Sequence, residues 1–250
     1  MTPQFRFLAA GLTHEGLVRS VNEDSHLLRN DVGLWAVADG MGGHENGQWA
    51  STAIVRSLSE VKFSGAFEAD VEAVKTALTD ANTIICDQAE SVGKRMGSTA
   101  AVMVADGRRY ACLWVGDSRI YRLRDGVLSR LTRDHTQVQD MVDKGVLSAE
   151  DAEDHPMGHI LSRAVGVEEP LRLDIVSGDL DAEDVYLLCS DGLTGVVEED
   201  EIRAQLTSSD SRAAGRRLME MTMAHGAPDN VTLITVACEE MTALALKGTA

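Results

Sequence analysis

Four carboxylates stand where apolar runs begin or end. Leu34-Trp35-Ala36-Val37-Ala38 leads into Asp39-Gly40, the run from 111 to 116 leads into Asp117-Ser118, and the run from 185 to 190 leads into Asp191-Gly192. The fourth case is inverted: Pro228-Asp229-Asn230 comes directly before Val231-Thr232-Leu233-Ile234-Thr235-Val236. Runs of this length and composition suit buried strands, and Asp-Gly is a turn signal, so a folded sheet can gather the four carboxylates at one rim. Near the N-terminus, Arg19-Ser20-Val21-Asn22-Glu23-Asp24 adds a guanidinium within five residues of two more carboxylates. Alone, that segment reads as a surface turn with a local ion pair. Taken with the other four, it completes a pool of hard oxygen ligands beside one planar fork able to grip two phosphate oxygens.

The elements that must position these groups follow from periodicity. Further strands are predicted at 5–12, 25–28, 99–105, 120–124 and 171–176, with Arg124-Asp125-Gly126 as a hairpin turn. Helical spacing marks 44–58 and 71–90; in the latter Val74, Leu78, Ala81 and Ile85 recur at +4, +7 and +11. Two more helices are predicted at 198–206 and 211–224, the second stopped by His225-Gly226. Between about 134 and 161 the pattern breaks into polar residues around a short helix at 137–144, an irregular stretch of the kind that forms a flap or lid. No repeat or linker divides the chain, so residues 1–240 are expected to form a single domain, with 241–250 as a loosely held tail.

The 250 residues are 44% hydrophobic and 25% charged, an ordinary balance for a folded domain with a sizeable core. Forty acidic against 23 basic side chains leave a net charge of -17, which repels nucleic acid and anionic lipid. The same charge opposes phosphate handling unless part of the carboxylate excess surrounds cations, which invert the local field. Cys86, Cys112, Cys189 and Cys238 form no C-x-x-C pair and read as reduced core residues. With no basic-then-apolar leader and no membrane-length apolar run, the expectation is a cytoplasmic protein without a membrane anchor.

Seven segments, in order, carry a resemblance. They are Arg19-Ser20-Val21-Asn22-Glu23-Asp24, Val37-Ala38-Asp39-Gly40-Met41-Gly42-Gly43-His44, Gly97-Ser98-Thr99-Ala100, Gly116-Asp117-Ser118-Arg119, Leu131-Thr132-Arg133-Asp134-His135-Thr136, Ser190-Asp191-Gly192-Leu193 and Asp229-Asn230-Val231-Thr232. Together, over about 11–236, they closely resemble the metal-dependent protein phosphatases of type 2C (PPM) in their compact bacterial form. The resemblance implies an α+β fold, a four-layer α/β/β/α sandwich of two antiparallel sheets flanked by helices, with the metal site in a cleft at one end. It also implies a protein serine/threonine phosphatase, a phosphoric monoester hydrolase working with a water activated by two Mn²⁺ or Mg²⁺ ions. Asp39 would bridge the two metals, the Gly40 carbonyl would complete one of them, and Asp191 and Asp229 would bind the other. Asp117, with Asp191, would offer a weaker third site; Glu23, Asp24 and Asn230 would act from behind the ligands. Arg19 would bind the phosphate. The substrates implied are phosphorylated proteins, products of a serine/threonine kinase, met by a monomer that signals in the cytoplasm. All-oxygen ligation with retained waters suits Mn²⁺ or Mg²⁺ better than zinc.

The chain departs from the eukaryotic pattern at one position. Where those members place a histidine after the Asp-Gly, a candidate acid for the leaving alkoxide, Met41 stands here. The nearest histidine, His44, is weighed evenly between that catalytic role and a solvated first-turn position. His135, His155 and His159 fall in the flap and are read as hydrogen-bonding or exposed side chains, and Trp35 and Trp114 as core. Asp179-Leu180-Asp181-Ala182-Glu183-Asp184 lacks the glycine and glutamate of a calcium loop and reads as a solvated acidic loop. Two rival functions remain in view: a catalytically silent relative that binds and signals by conformation, and a phosphatase of small metabolites. The retained Arg19, Asp39, Asp191 and Asp229 weigh against the first, and an open cleft with a flap weighs against the second.

Overall fold

A computed structural model describes residues 4–43, 45–153, 155–208 and 210–241. The apolar runs become central strands because residues pointing to opposite faces both find a core. In β3 (Leu34–Met41), Leu34, Ala36 and Ala38 face one cluster of buried side chains while Trp35 and Val37 face another. Its neighbours β5 (Ala100–Asp106) and β6 (Arg109–Val115) divide their side chains in the same way. With β2 (Asp24–Arg29) and β9 (Asp174–Asp179) they form an antiparallel sheet ordered β2-β3-β5-β6-β9, to which the short β4 (Gly97–Ser98) adds by pairing with β3.

The second antiparallel sheet runs β1-β11-β10-β7-β8, from β1 (Gln4–His14), β7 (Arg119–Arg124), β8 (Val127–Arg130), β10 (Val185–Cys189) and β11 (Val231–Met241). Between the sheets lie Trp35, Met103, Cys112, Ile120, Tyr186, Leu188, Ile234 and Val236. Phe7 meets the Trp35 ring edge-on at 5.2 Å between centroids. Helices α1 (Glu45–Ser59) and α2 (Phe67–Val92) cover the outer face of the first sheet through Ile54, Leu58, Val74, Leu78, Ala81 and Ile85. Across the molecule α6 (Glu199–Ser208) and α7 (Ser211–Ala224) cover the second sheet through Ile202, Leu206, Ala214 and Leu218. The expected four-layer sandwich is therefore present, with a helix pair outside each sheet.

Several local expectations change. The Asp39-Gly40 pair does not turn: β3 runs on to Met41 because β4 hydrogen-bonds alongside, placing Gly40 opposite Ser98. The strand expected at 171–176 starts three residues later, at Asp174, in register with Trp114. Asp184 is not part of a solvated loop. It is fully buried, and Arg124 donates to both its oxygens, at 2.7 and 2.6 Å. The Arg124-Asp125-Gly126 turn is present, with φ of 51° and 75° at Asp125 and Gly126, the positive pair that a two-residue hairpin favours. Of the expected tail, Met241 closes β11 and 242–250 lie outside the described residues.

The irregular stretch after β8 carries α3 (Gln137–Asp143), capped by the Thr136 hydroxyl accepting from Gln139 N–H, and α4 (Ala149–Glu153). Its legs are stitched together at the base: Gln137 N–H donates to Ile160 O and Ser162 N–H donates to His135 O, both at 2.8 Å. The four cysteines are free, and burial pushes the Cys189 and Cys238 thiols up to about 12, which leaves them inert. Among the described residues no helix is long and apolar enough to cross a membrane.

Candidate active site

Both sheets deliver carboxylates to one rim. Asp24 opens β2 and stands directly opposite Asp39 of β3 in the antiparallel register. Asp117 lies in the turn from β6 to β7, where the chain passes from the first sheet to the second. Asp191 opens the short α5 (Asp191–Thr194) after β10, and Asp229 precedes β11. Hydroxyls brace these positions. The Asp39 N–H donates to Thr99 Oγ1 at 3.0 Å, and Thr99 Oγ1 pairs with Ser118 Oγ at 2.6 Å, joining the ends of β3, β5 and the Asp117 turn. Across the gap between sheets, Ser190 Oγ donates to Asp24 Oδ2 at 2.8 Å while accepting from Thr232 N–H at 2.9 Å.

The carboxylates oppose one another's ionisation. Burial pushes Asp24 up to about 7, and the charges of Asp191 and Asp229 add to it against hydrogen bonds from Thr232 and Ser190. Asp117 rises to about 8, mainly through burial and then through Asp191 and Asp134. Asp39 is held well above the usual carboxylate range by burial and by Asp24, Asp191 and Asp117 in turn, and Asp191 is raised by burial and then Asp229. A group of acids this close is a poor arrangement in water and a good one around cations.

Gly40 is required by close approach rather than by a turn, since a Cβ there would lie 2.1 Å from the Gly47 carbonyl oxygen at the start of α1. Asn230 holds the N-terminal loop against the rim: its Oδ1 accepts from Glu23 N–H at 2.9 Å, and its Nδ2 donates to the Glu15 and Val21 carbonyls at 2.8 and 2.9 Å. That loop carries Arg19, whose Nη2 donates to Asp229 Oδ2 at 2.7 Å on a side chain 56% exposed. The guanidinium thus reaches the cluster and engages one of the acids expected to hold metal.

The histidines divide. His44 lies outside the described residues. His155 accepts from Met157 N–H at 3.2 Å. His135 is buried where the irregular stretch after β8 begins, and the exposed His159, farther along that stretch, stands 4.0 Å from Asp191 Oδ2. The approach of His159 to the cluster was not legible in the sequence, because the two positions are 32 apart, with β9 and β10 between them. Trp35 and Trp114 are core residues, their indole N–H groups donating to Asn30 Oδ1 and Arg133 O.

The residues present fit a hard divalent cation. Asp24 Oδ1 is buried without a hydrogen-bond partner among the described residues, an oxygen left over for a ligand or an ordered water. Among the described residues no three His, Cys, Asp or Glu side chains close into a metal cage, so a cation held here would have to keep part of its water shell.

The family model described as protein phosphatase 2C matches residues 13–232. The serine/threonine protein phosphatase PstP of Mycobacterium tuberculosis is 35% identical over 90% of this chain, which spans 44% of that relative's length, less than half. The serine/threonine phosphatase stp of Listeria monocytogenes is 32% identical over 90% of this chain and 93% of its own. Among solved structures, PppA of Pseudomonas aeruginosa superposes with a TM-score of 0.88 at 39% identity, covering 96% of this chain and all of that one. The PstP catalytic domain, solved with two manganese ions, gives 0.82 at 33% identity over 94% of this chain and 99% of its own. With the matched model spanning most of the sandwich and both sheets contributing to its acidic rim, the chain belongs to the protein phosphatase 2C family.

Proposed function

We propose that the protein is a divalent-metal-dependent serine/threonine phosphatase that hydrolyses phosphoserine and phosphothreonine in other proteins. The observation that carries this reading is the meeting of Asp24, Asp39, Asp117, Asp191 and Asp229, drawn from both sheets, beside Arg19. Asp39, the Gly40 carbonyl, Asp191 and Asp229 would hold two ions, Mn²⁺ or Mg²⁺, and Asp117 with Asp191 would hold a weaker third. When bound, such ions supply a water of lowered pKa and positive charge facing the phosphoryl oxygens. Glu23, Asp24 and Asn230 keep the ligands in place, Asn230 through its bonds to the loop that carries Arg19. Residues 1–240 form the single catalytic domain, with 134–161 as its flap.

Arg19 supplies phosphate recognition. A single nitrogen engages Asp229, so the planar fork keeps further donors for two oxygens of a phosphate. Arg19→Lys is expected to lower kcat/KM on phosphopeptides about 10- to 100-fold, since an ammonium cannot reproduce a charge-assisted pair of bonds, while Mn²⁺ affinity is not weakened. Full kcat/KM in the lysine variant would remove the bidentate role.

Beside Arg19, Leu17 and Val18 are 62% and 70% exposed, an open apolar lip better matched to a protruding protein segment than to an enclosed metabolite. The substrates are accordingly phosphorylated proteins of a serine/threonine kinase, and the surrounding negative charge disfavours nucleic acid and anionic membranes. A monomer working in the cytoplasm fits this reading. The deciding experiment compares phosphothreonine, phosphoserine and phosphotyrosine peptides with small phosphorylated metabolites in Mn²⁺. Turnover of the first two is expected. Hydrolysis of metabolites alone overturns the protein-substrate reading, and no hydrolysis in any divalent metal leaves the silent binding module.

A further inference from the structure

His135 is 4% exposed and bonded on every side at the root of the flap. Its backbone N–H donates to the Gly116 carbonyl at 2.9 Å, and the Gly116 N–H returns a bond to His135 Nδ1 at 3.2 Å, so the residue clamps Gly116 from both sides. Its own carbonyl accepts from Ser162 N–H on the returning leg of the flap. On the far side of the ring, Nε2 lies 3.3 Å from Asp174 Oδ2 of β9. Arg163 Nη1 donates to the other Asp174 oxygen at 3.1 Å and stands 3.4 Å from Nε2. Trp114 stacks on the imidazole with 18° between the planes.

These contacts select one form of the ring. An amide N–H pointing at Nδ1 requires a lone pair there, so the single ring proton sits on Nε2, where the Asp174 carboxylate accepts it. Burial and the Arg163 charge hold the His135 pKa below its ordinary value, in keeping with a neutral ring. The clamped residue is not an ordinary one. Gly116 has φ +101°, and a Cβ on it would lie 2.6 Å from the Thr99 side chain. Thr99 accepts the Asp39 N–H and pairs with Ser118, the residue after Asp117. Two carboxylates of the cluster therefore hang on the geometry of one glycine that no other residue could replace without strain.

We propose that His135 is a positioning residue: in the tautomer selected by Asp174, it fixes the Gly116-Asp117 turn against Thr99 and Asp39 and fastens both legs of the flap to that turn. The inference rests on the phosphatase reading for its kinetic consequence but not for its structural one. Outer groups that orient ligands in this way typically change metal affinity or activity by about 10- to 100-fold when removed.

Two substitutions separate the halves of the ring. His135→Asn places an amide oxygen near the position of Nδ1 and keeps an acceptor for Gly116, whereas His135→Gln reaches toward Asp174 and offers none. The measurements are hydrogen exchange at the Gly116 amide in metal-free protein, Mn²⁺ binding by titration, and kcat and KM on a phosphothreonine peptide. His135→Gln is expected to lose protection at Gly116, bind Mn²⁺ more weakly and lose about 10- to 100-fold in kcat with KM little changed. His135→Asn is expected to stay close to the parent in all three. Equal behaviour of the two variants, or a kcat loss in His135→Gln that only follows its folded fraction, overturns the proposal. Should neither variant fold, Asp174→Ala at the partly exposed strand edge reads the same device: faster exchange at Gly116 supports tautomer selection, and unchanged exchange overturns it. If the parent protein hydrolyses no phosphopeptide, the phosphatase reading fails, while exchange and Mn²⁺ binding still decide the role of His135.

Discussion

Asp39→Asn and Asp191→Asn are each expected to lower kcat/KM on a phosphothreonine peptide about 1000-fold in saturating Mn²⁺, the effect of losing several kcal/mol of charge stabilisation at the reacting group. Both side chains sit at the centre of the cluster. Asp39 feels Asp24, Asp191 and Asp117, while Asp191 interacts with both Asp229 and Asp39. An amide at either position removes one negative charge and one anionic ligand from a group whose acids share their neighbours. Asp117 lies to one side, in the turn between the sheets, so Asp117→Asn is expected to bind two ions and slow turnover about 10- to 100-fold. Steady-state kinetics with an Mn²⁺ titration on each variant checks the order. Asp39→Asn retaining a large share of parental activity would place the chemistry elsewhere.

The acids of this site were legible because strand ends are legible. A strand buried on both faces leaves a continuous apolar run, and its end shows where the polar rim begins. Asp39, Asp117, Asp191 and Asp229 were found that way, and the helix at Ser211–Ala224 was recovered with the expected bounds because its apolar spacing and His225-Gly226 stop act locally. Features that depend on distant partners were not visible. Asp39-Gly40 carries a turn signature, yet β4 arrives from 59 residues away to extend the strand through it. Asp184 looked like a member of a solvated acidic run until Arg124 came to meet it. Ser190 and Asp24 are 166 residues apart in sequence, so the bond that ties the two sheets behind the cluster leaves no local trace. The clamp on Gly116 was hidden for a different reason: His135 lay in the segment read as a flap, where a histidine's ordinary place is at the surface.

Metal removal is expected to abolish turnover and to expose the repulsion stored in the rim. A carboxyl whose folded pKa lies above its unfolded value of about 4 favours folding while it is protonated, and that contribution is lost as pH rises through the folded value. Asp24 near 7 and Asp117 near 8, with Asp39 and Asp191 shifted the same way, place the loss between about pH 4 and pH 8. Metal-stripped protein should therefore melt at a higher temperature near pH 5 than near pH 8, and saturating Mn²⁺ should flatten the slope, because bound cations replace the protons. The same substitution that destroys activity should relieve the strain. At about pH 8 without metal, Asp39→Asn is expected to raise Tm by about 3 °C or more, since for a chain of this size each kcal/mol moves the midpoint by a few degrees. Comparing variant with parent at each pH removes the contribution of other titrating groups, which both proteins share. A metal-free Tm independent of pH over this range, or one lowered by Asp39→Asn near pH 8, would mean that these carboxylates hold the fold together rather than wait for cations.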